Sequence, residues 1–335
     1  MEFTHFMGVD VSKETLDITI RQAEFILVQE TIANSVKNIH QFFKTLFSKK
    51  QVSKNDLLIC LEHTGIYSSL LLKYAGDSAL SIWVEDAVQI KQVMKAHRGK
   101  SDKLDACQIA EYAYRFPDRV KLWEPERTAV KILSRLIAQR RRLINIKKSL
   151  VQPLNETKRF EEKEIVQLEE KLNNSIIKQI EKQIKEVEIK IEQTITSDTQ
   201  LNQLYKLITS VDGIGPVIAS HMLVYTNEFK RFCNAKKLAC HAGVVPFDHK
   251  SGSSIKGKPT VSHRANKTLK SLFHMAAITA IKRKGELQNY YLRKVAEGKN
   301  KMSVINALRN KLILRIYACV RDNRPYEKII QLSIV

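Results

Sequence analysis

Four acidic residues stand where separate segments of the chain could share a divalent metal ion. Asp10 closes the apolar stretch FMGVD, Glu62 closes LLICLE, and Asp102 and Asp105 lie in KSDKLDA. Carboxylate oxygens are ligands that suit both Mg²⁺ and Mn²⁺. The chain around them is basic, with 56 Lys and Arg against 35 Asp and Glu. Carboxylates gathered within a cationic protein predict metal-assisted chemistry on a phosphodiester backbone.

Positive charge is concentrated toward the C-terminus. Residues 229–325 contain 22 Lys and Arg but only four Asp and Glu, a net charge of +18, while the whole chain carries +21. A segment this basic predicts a nucleic-acid partner. The alternatives are a solvated surface or an anionic membrane surface.

Neither membrane insertion nor secretion is predicted. No apolar run reaches the ~18–20 residues that span a bilayer. The N-terminus lacks a basic stretch followed by an apolar one. Five cysteines at irregular spacing favour reduced thiols over a disulfide framework, so we expect a cytoplasmic location.

The first 125 residues alternate between strand and helix patterns. Strands are predicted as an antiparallel meander of three over 3–32, and at 56–62 and 79–85. Helices are predicted at 35–47, with Ser35 as N-cap, at 67–74, at 87–95 and from Asp102 onward. The order βββ-α-β-α-β-α is that of an RNase H-like fold, in which Asp10 and Glu62 end neighbouring strands at the centre of the sheet.

Asp102 and Asp105 are three residues apart and so face the same side of their predicted helix. Taken alone, the pair is also explained as an N-cap followed by a charge that favours the helix dipole. The strands that present Asp10 and Glu62 shift the interpretation toward a shared metal site.

The middle of the chain is predicted to be helical. One helix covers residues 127–150 and ends near Pro153; a second runs from about 161 to 207 without Gly or Pro. The second carries apolar residues at steps of three and four: Ile165, Leu168, Leu172, Ile176, Ile180, Ile184, Val187, Ile191 and Ile195. Such a stripe is typical of a coiled coil and predicts dimerisation. Packing back on the same chain as a helical hairpin is the alternative.

A glycine-containing turn follows this helical segment. Gly213-Ile-Gly215-Pro opens an apolar helix and resembles a helix-hairpin-helix turn, whose backbone N–H groups bind phosphate. An ordinary helix start is the alternative. More helices are predicted at 235–242, 267–282 and 303–320.

The predicted fold class is therefore α/β plus all-α. It comprises an RNase H-like (RuvC-like) domain at 1–125, a coiled-coil segment at 126–206 and a mainly helical domain at 207–335.

The segment LVYTNEFKRFCNAKKLACHAGVVPFDHKSGSSIKGKPTVSHRANKTLKSLFHMAA resembles the C-terminal transposase domain of the insertion-sequence one-ten family. Members of that family are DEDD transposases guided by a bridge RNA. The N-terminal half is similar to the RuvC-like domain of the family, and the resemblance covers nearly the whole chain. The DEDD set of the family corresponds to Asp10, Glu62, Asp102 and Asp105.

The resemblance also implies that a serine of the C-terminal domain attacks the phosphodiester. The Ser-Gly pair of the family corresponds to Ser251-Gly252 after GVVP, with Ser253 and Ser254 as neighbouring alternatives. A hydroxyl needs activation at neutral pH, and metal ions on the four acids would stabilise the attacking and leaving oxygens. A covalent phosphoserine conserves the bond energy, so strands are resealed without ATP.

Ser251 is predicted to lie in a loop rich in Lys, Gly and Ser, HKSGSSIKGK, whose lysines are expected to position phosphates. The residues expected to contact nucleic acid are Lys250, Lys256, Lys258, Arg264, Lys267, Gly213 and Gly215. The sequence departs from the usual ISKRGN of the family, with His263 for a lysine and Ala265 for a glycine. Lys270 stands where arginine is frequent. These departures concern nucleic-acid contact and leave the acids and the serine intact.

We therefore expect a transposase or recombinase that acts on donor and target DNA with a bridge RNA, as a homodimer or tetramer. The alternative is a RuvC-like two-metal endonuclease or Holliday-junction resolvase without a covalent intermediate, which Ser251→Ala would distinguish. A sugar-kinase-like ATPase, which GVDVSKETLD also resembles, is disfavoured because it would leave the segment of charge +18 without a role. A catalytically inactive nucleic-acid-binding protein is disfavoured by the intact acid set.

Overall fold

The computed structural model describes residues 3–49, 52–62, 64–93, 102–232, 234–251, 255–262 and 265–327. For residues 49, 102, 248–251, 255, 256, 258 and 259 it describes the backbone alone. The chain divides into two compact units, Met1–Pro125 and Glu126–Val335. No helix in the described parts is long and apolar enough to cross a membrane.

The first unit contains a mixed five-stranded sheet with helices on both faces. Its strands are β1 (His5–Val11), β2 (Thr15–Gln22), β3 (Phe25–Ala33), β4 (Leu57–Glu62) and β5 (Ser81–Glu85). Its helices are α1 (Val36–Lys49), α2 (Ser69–Asp77), α3 (Ala87–Val93) and α4 (Asp102–Arg115). The strand order is β3-β2-β1-β4-β5, antiparallel across β1, β2 and β3 and parallel from β1 through β4 to β5. The predicted meander and element order of this region are confirmed.

Strand β4 is apolar at every position before its final residue because both faces of the sheet are covered. One face packs against α1 and α2, with Phe43 and Leu71 in its core. The other packs against α4, with Ile109 and Tyr112 in its core. The predicted N-cap of α1 is confirmed, since the Asn38 N–H donates to the Ser35 hydroxyl at 3.3 Å.

The second unit is mainly helical. Its helices are α5 (Thr128–Phe160), α6 (Lys163–Ser197), α7 (Thr199–Thr209), α8 (Pro216–Tyr225), α9 (Ala235–His241), α10 (Lys267–Lys282), α11 (Glu286–Ala296) and α12 (Lys301–Arg321). Its two strands, β6 (Pro246–Ser251) and β7 (Ile255–Val261), form an antiparallel hairpin. One continuous core joins the start of α5 and the end of α6 to the helices from α7 onward.

Helices α5 and α6 form an antiparallel hairpin. Three ion pairs cross it: Arg140–Glu188 at 2.7 Å, Lys147–Glu181 at 2.6 Å and Lys158–Glu170 at 2.5 Å. The α5 members of these pairs are seven and then eleven residues apart, and so are their α6 partners, counted in the opposite direction. Seven and eleven residues correspond to about two and about three helical turns, so all three pairs lie on the same face of each helix. The two helices therefore keep a constant register, as in the helical-hairpin alternative for this segment.

The apolar stripe of α6 has two parts. Ile180, Val187 and Ile195 are buried. Toward the tip of the hairpin, Ile165, Leu168, Leu172 and Ile176 remain 44–63% exposed.

Two predicted helix boundaries in this region are wrong. Helix α5 does not end near Pro153 but continues to Phe160, although a proline inside a helix costs ~3 kcal/mol. Packing within the hairpin offsets that cost, because Leu154 is buried and the Lys158–Glu170 pair lies beyond the proline. The helix predicted from 161 to 207 is interrupted at Asp198, whose carboxylate accepts the Leu201 N–H at 2.9 Å and caps α7.

Two further elements differ from prediction. Helix α11 was not anticipated. Ser251 lies at the end of β6 rather than in a loop. Local composition indicates a loop there, whereas pairing between β6 and β7 supplies the backbone hydrogen bonds that make strands.

Candidate active site

Four carboxylates form one row across the sheet of the first unit. Asp10 on β1 is the register partner of Asp17 on β2. The pairing of β1 with β4 runs to Val9 opposite Leu61, so Asp10 and Glu62 occupy the next position. Glu62 is the partner of Glu85. Partners in register project from the same face, and this row lies at the carboxyl ends of the parallel strands.

Helix α4 covers the face of the sheet that carries the row. Its backbone approaches β1 so closely that a Cβ atom on Gly8 would overlap the backbone of Ala106 and Ala110. Glycine is therefore the residue that lets the helix lie directly on the strand. Gly8 and Asp10 share a face because side chains alternate along a strand.

Helix α4 also brings a further acid to the row. Burial raises the pKa of the Glu62 carboxyl, the positive charge of Lys91 opposes this shift, and the negative charges of Asp105 and Asp86 add to it. Asp105 on α4 therefore contributes negative charge near the end of β4. Asp102 begins α4, one turn before Asp105; its side chain lies outside the described structure.

Oxygen donors predominate at this end of the sheet, and oxygen ligands suit Mg²⁺ and Mn²⁺. Among the side chains described, no three of His, Cys, Asp or Glu are close enough to hold a metal ion. Burial is the main cause of the raised Glu62 pKa; the negative charges of Asp105 and Asp86, which add to the shift, would be relieved by a cation beside them.

Two acids of the row were not singled out from the sequence. Asp17 is 5% exposed, and its carboxylate accepts the Thr31 hydroxyl at 2.5 Å. Glu85 accepts the Asp86 N–H at 2.8 Å and the Tyr112 hydroxyl at 3.4 Å. Glu85 ends an apolar strand just as Asp10 and Glu62 do, which was an available signal. Asp17 lies within its strand and becomes a neighbour of Asp10 through strand pairing alone.

Ser251 lies in the second unit, at the end of β6, with Ile255 of β7 as its Cα partner. One position earlier on β6, Lys250 is the Cα partner of Lys256 on β7. Lys258 also lies on β7. Gly252, Ser253, Ser254 and Arg264 lie outside the described residues.

The base of this β-hairpin is fixed by contacts to two helices. The Asn306 side chain of α12 donates to the Val244 carbonyl at 2.6 Å, and the Asn266 N–H donates to the His241 carbonyl at 2.7 Å. Gly243 adopts φ +63°, and its backbone lies against Ala265. Lys267 is the exposed first residue of α10, which Asn266 caps. The strand that carries Ser251 thus starts from a fixed point.

The glycine turn joins α7 to α8. Gly213 adopts φ +88°, and a Cβ there would lie 2.9 Å from the Ala276 carbonyl oxygen, so a larger residue would be strained. Gly215 is the N-cap of α8, and a Cβ at that position would meet open space. The open N-terminus of a helix is a site where anions bind favourably.

Comparison with known proteins gives matches to two family models in separate regions of the chain. A family model for DEDD enzymes of the IS110 type, described as Transposase, matches residues 7–157. A second, described as Transposase IS116/IS110/IS902 family, matches residues 205–292. These matches define the chain as a DNA transposase or recombinase. The chain carries two transposase domains of the IS110 type, which confirms the resemblance found in the sequence.

Named relatives extend the match over nearly the full chain. The pilin gene-inverting protein of Moraxella bovis is 28% identical over 329 residues, which cover 96% of this chain and 98% of that protein. The protein of the same name from Moraxella lacunata is also 28% identical over 329 residues. An uncharacterized 44.8 kDa protein of insertion element IS116 from Streptomyces clavuligerus is 29% identical over 147 residues, 44% of this chain and 36% of that protein.

Proposed function

We propose that this enzyme cuts and rejoins the DNA of a mobile element by transesterification, with Ser251 as nucleophile and an RNase H-like acid site. The observation that carries the proposal is the register of Asp10 beside Glu62 at the carboxyl ends of adjacent parallel strands. The influence of Asp105 on the Glu62 pKa supports a common site for the three acids.

Asp10, Glu62, Asp102 and Asp105 would hold divalent metal ions. When bound, Mg²⁺ or Mn²⁺ would neutralise charge on the scissile phosphate and stabilise the attacking and leaving oxygens. The carboxylates fit this task because their oxygens suit both ions and because their mutual repulsion is relieved by a cation.

The Ser251 oxygen attacks phosphorus, so a serine–phosphate ester forms while the phosphorus–oxygen bond to one DNA segment breaks. The serine loses a proton and the departing strand oxygen gains one, so no water or ATP is consumed. Attack by a hydroxyl of another strand then reverses these changes, rejoins DNA and frees the serine. The acids and the serine would belong to one subunit or to two within a homodimer or tetramer.

Nucleic-acid binding is assigned to the second unit. Residues 229–325 supply a net charge of +18, and the Gly213–Gly215 turn and the lysines of the β6–β7 hairpin would position phosphates. The family resemblance implies a bridge RNA, which would choose the donor and target sites by base pairing; the sequence itself holds no base-reading motif. The Moraxella relatives are named for inverting a pilin gene, which accords with DNA rejoining by this chain. We place this reaction with the DNA in the bacterial cytoplasm.

The test is to trap protein covalently joined to DNA. The chain would be expressed with a plasmid that carries the DNA flanking its reading frame, and nuclease-digested protein would be searched by mass spectrometry for a nucleotide on serine. We expect the adduct on Ser251, its loss in Ser251→Ala, and its retention in Ser253→Ala and Ser254→Ala. DNA cutting that survives Ser251→Ala would support the endonuclease alternative instead.

A further inference from the structure

A cavity of about 300 Å³ lies between α5 and α8 in the second unit. Its walls include Ile137 and Val224, and Arg141 and Arg142 belong to its lining. His221 and Tyr225, one turn apart on α8, complete it. Its volume is at the lower end of the range for small-ligand sites. None of these residues has a role in the acid site or the serine strand.

The two aromatic side chains of the lining carry defined hydrogen-bonding groups; His221 is buried and Tyr225 is half-buried. The His221 Nδ1 lies 2.7 Å from the Val217 carbonyl oxygen, so Nδ1 carries a proton and donates to it. Burial lowers the pKa of His221; the hydrogen bond to Val217 opposes the shift, and the positive charges of Arg140 and Arg141 lower the pKa further. The neutral ring therefore keeps Nε2 as an acceptor. The ring centroid of Tyr225 lies 6.0 Å from that of His221, with 30° between the planes.

The two arginines supply positive charge beside these rings. Arg142 donates from two nitrogens to the Gln139 side-chain oxygen, at 3.1 and 2.6 Å, which orients its guanidinium. Arg141 is exposed and has no carboxylate partner among the described residues. An oriented guanidinium beside a second one is suited to a phosphate group.

We propose that this cavity binds one unpaired nucleotide, with its base against Tyr225 and His221 and its phosphate at Arg141 and Arg142. Aromatic faces beside cationic side chains are the combination by which proteins hold single-stranded nucleic acid. A stacked and paired base does not fit such a cavity, whereas an extruded base from a loop, bulge or displaced strand does. The inference rests on the proposed function, because that function supplies the nucleic acid.

Binding of short labelled oligonucleotides provides the first test. Fluorescence anisotropy would be measured with a 12-nucleotide single-stranded RNA, the matching DNA and the matching duplex, over a range of salt concentrations. We expect Arg141→Gln/Arg142→Gln to weaken single-strand binding at least 10-fold. It should also reduce the slope of log affinity against log salt by about 0.7, as the loss of one neutralised phosphate would.

Lys131→Gln/Arg135→Gln is the matched control, because it removes the same charge from exposed positions of α5 outside the cavity. An equal loss of affinity in the control variant would overturn the proposal and leave only general attraction by a basic surface. Preference for duplex over both single strands would also overturn it. Tighter binding of RNA than DNA would assign the cavity to a guide, and the reverse to a displaced DNA strand; both support an unpaired nucleotide.

The stacking contribution is tested at Tyr225. Tyr225→Phe keeps the aromatic face and should bind like the parent protein, whereas Tyr225→Leu should bind about 10-fold more weakly. Thermal unfolding of each variant would show that the fold is retained, and RNA containing 4-thiouracil should cross-link to the peptide that spans α8. Equal affinities for Phe and Leu variants, with no cross-link on α8, would overturn the base position. Absence of a Ser251–DNA adduct would instead defeat the proposed function while leaving these titrations interpretable.

Discussion

Single residues of the first unit determine what the acid row can do. Glu62 ends a strand that is otherwise buried, and it lies next to Asp10 in the strand register. The negative charge of Asp105 adds to the rise in the Glu62 pKa. Gly8 lets α4 lie against the same strand. Removal of one carboxylate or addition of one methyl group should therefore have separable effects on metal binding and on folding.

Metal binding is predicted to depend on the paired acids. Asp10→Asn and Glu62→Gln should each weaken Mn²⁺ binding at least 10-fold, because each removes an anionic oxygen ligand from the row. Electron paramagnetic resonance of free Mn²⁺ would measure this directly. Glu14→Gln is the control, since Glu14 is an exposed acid of the same unit that pairs with Lys13 at 3.2 Å. Unchanged Mn²⁺ binding in both acid variants would contradict the assignment of the ligands.

Gly8→Ala is predicted to destabilise the first unit by about 3 kcal/mol, since the new methyl group would overlap the backbone of α4. Urea unfolding followed by circular dichroism would measure the loss. Gly76→Ala is the comparison, because a Cβ there meets only the Trp123 ring at an ordinary 3.7 Å. That change, within a helix, should be neutral or slightly stabilising. Equal stability of the two variants would mean that α4 does not lie on β1 as described.

At the scale of elements, one charged cluster joins three parts of the second unit. Arg127 precedes α5 and donates to Asp198, between α6 and α7, and to Glu228, after α8, at 2.7–3.0 Å. The Glu228 side chain has no exposed surface. Asn227, Glu228 and Phe229 all have positive φ, a strained turn that requires stabilising contacts. The cluster thus holds the turn while it joins the helices.

Glu228→Gln is predicted to destabilise the second unit by about 3 kcal/mol, because it leaves the Arg127 charge with one partner and weakens a buried pairing. Thermal unfolding would show a lower midpoint. Glu297→Gln is the control, since that acid forms its ion pairs with Arg293 and Lys294 within one helical region at the surface, where such pairs contribute little. A similar midpoint for both variants would contradict the role of the Arg127 cluster.

For the whole molecule, the number of subunits decides whether two DNA sites can be held at once. The α5–α6 hairpin buries one part of the α6 stripe and leaves Ile165, Leu168, Leu172 and Ile176 exposed. Four large apolar residues on one face of a helix tip are a suitable contact for a second copy of the chain. An assembly of two or more copies would let the protein hold two DNA duplexes at once, as the proposed exchange of strands requires.

Leu168→Glu/Leu172→Glu is predicted to shift the protein to a smaller assembly, because charge would be buried at the contact. Size-exclusion chromatography with light scattering would give the mass of each variant. Ile189→Glu is the control, an equally exposed apolar position of the same helix that lies off the stripe. If both variants keep the mass of the parent protein, the helix tip is not the site of assembly.

Local patterns were enough to predict the strands of the first unit, the Ser35 N-cap and most helices, because strand alternation and capping depend on near neighbours in the chain. The acids at the ends of β1 and β4 were recognisable for the same reason. The sequence alone did not indicate that Asp17 and Glu85 extend their row, that α5 continues past Pro153, or that Ser251 ends a strand. These features depend on register and packing between segments far apart in the chain, so only the tertiary structure determines them.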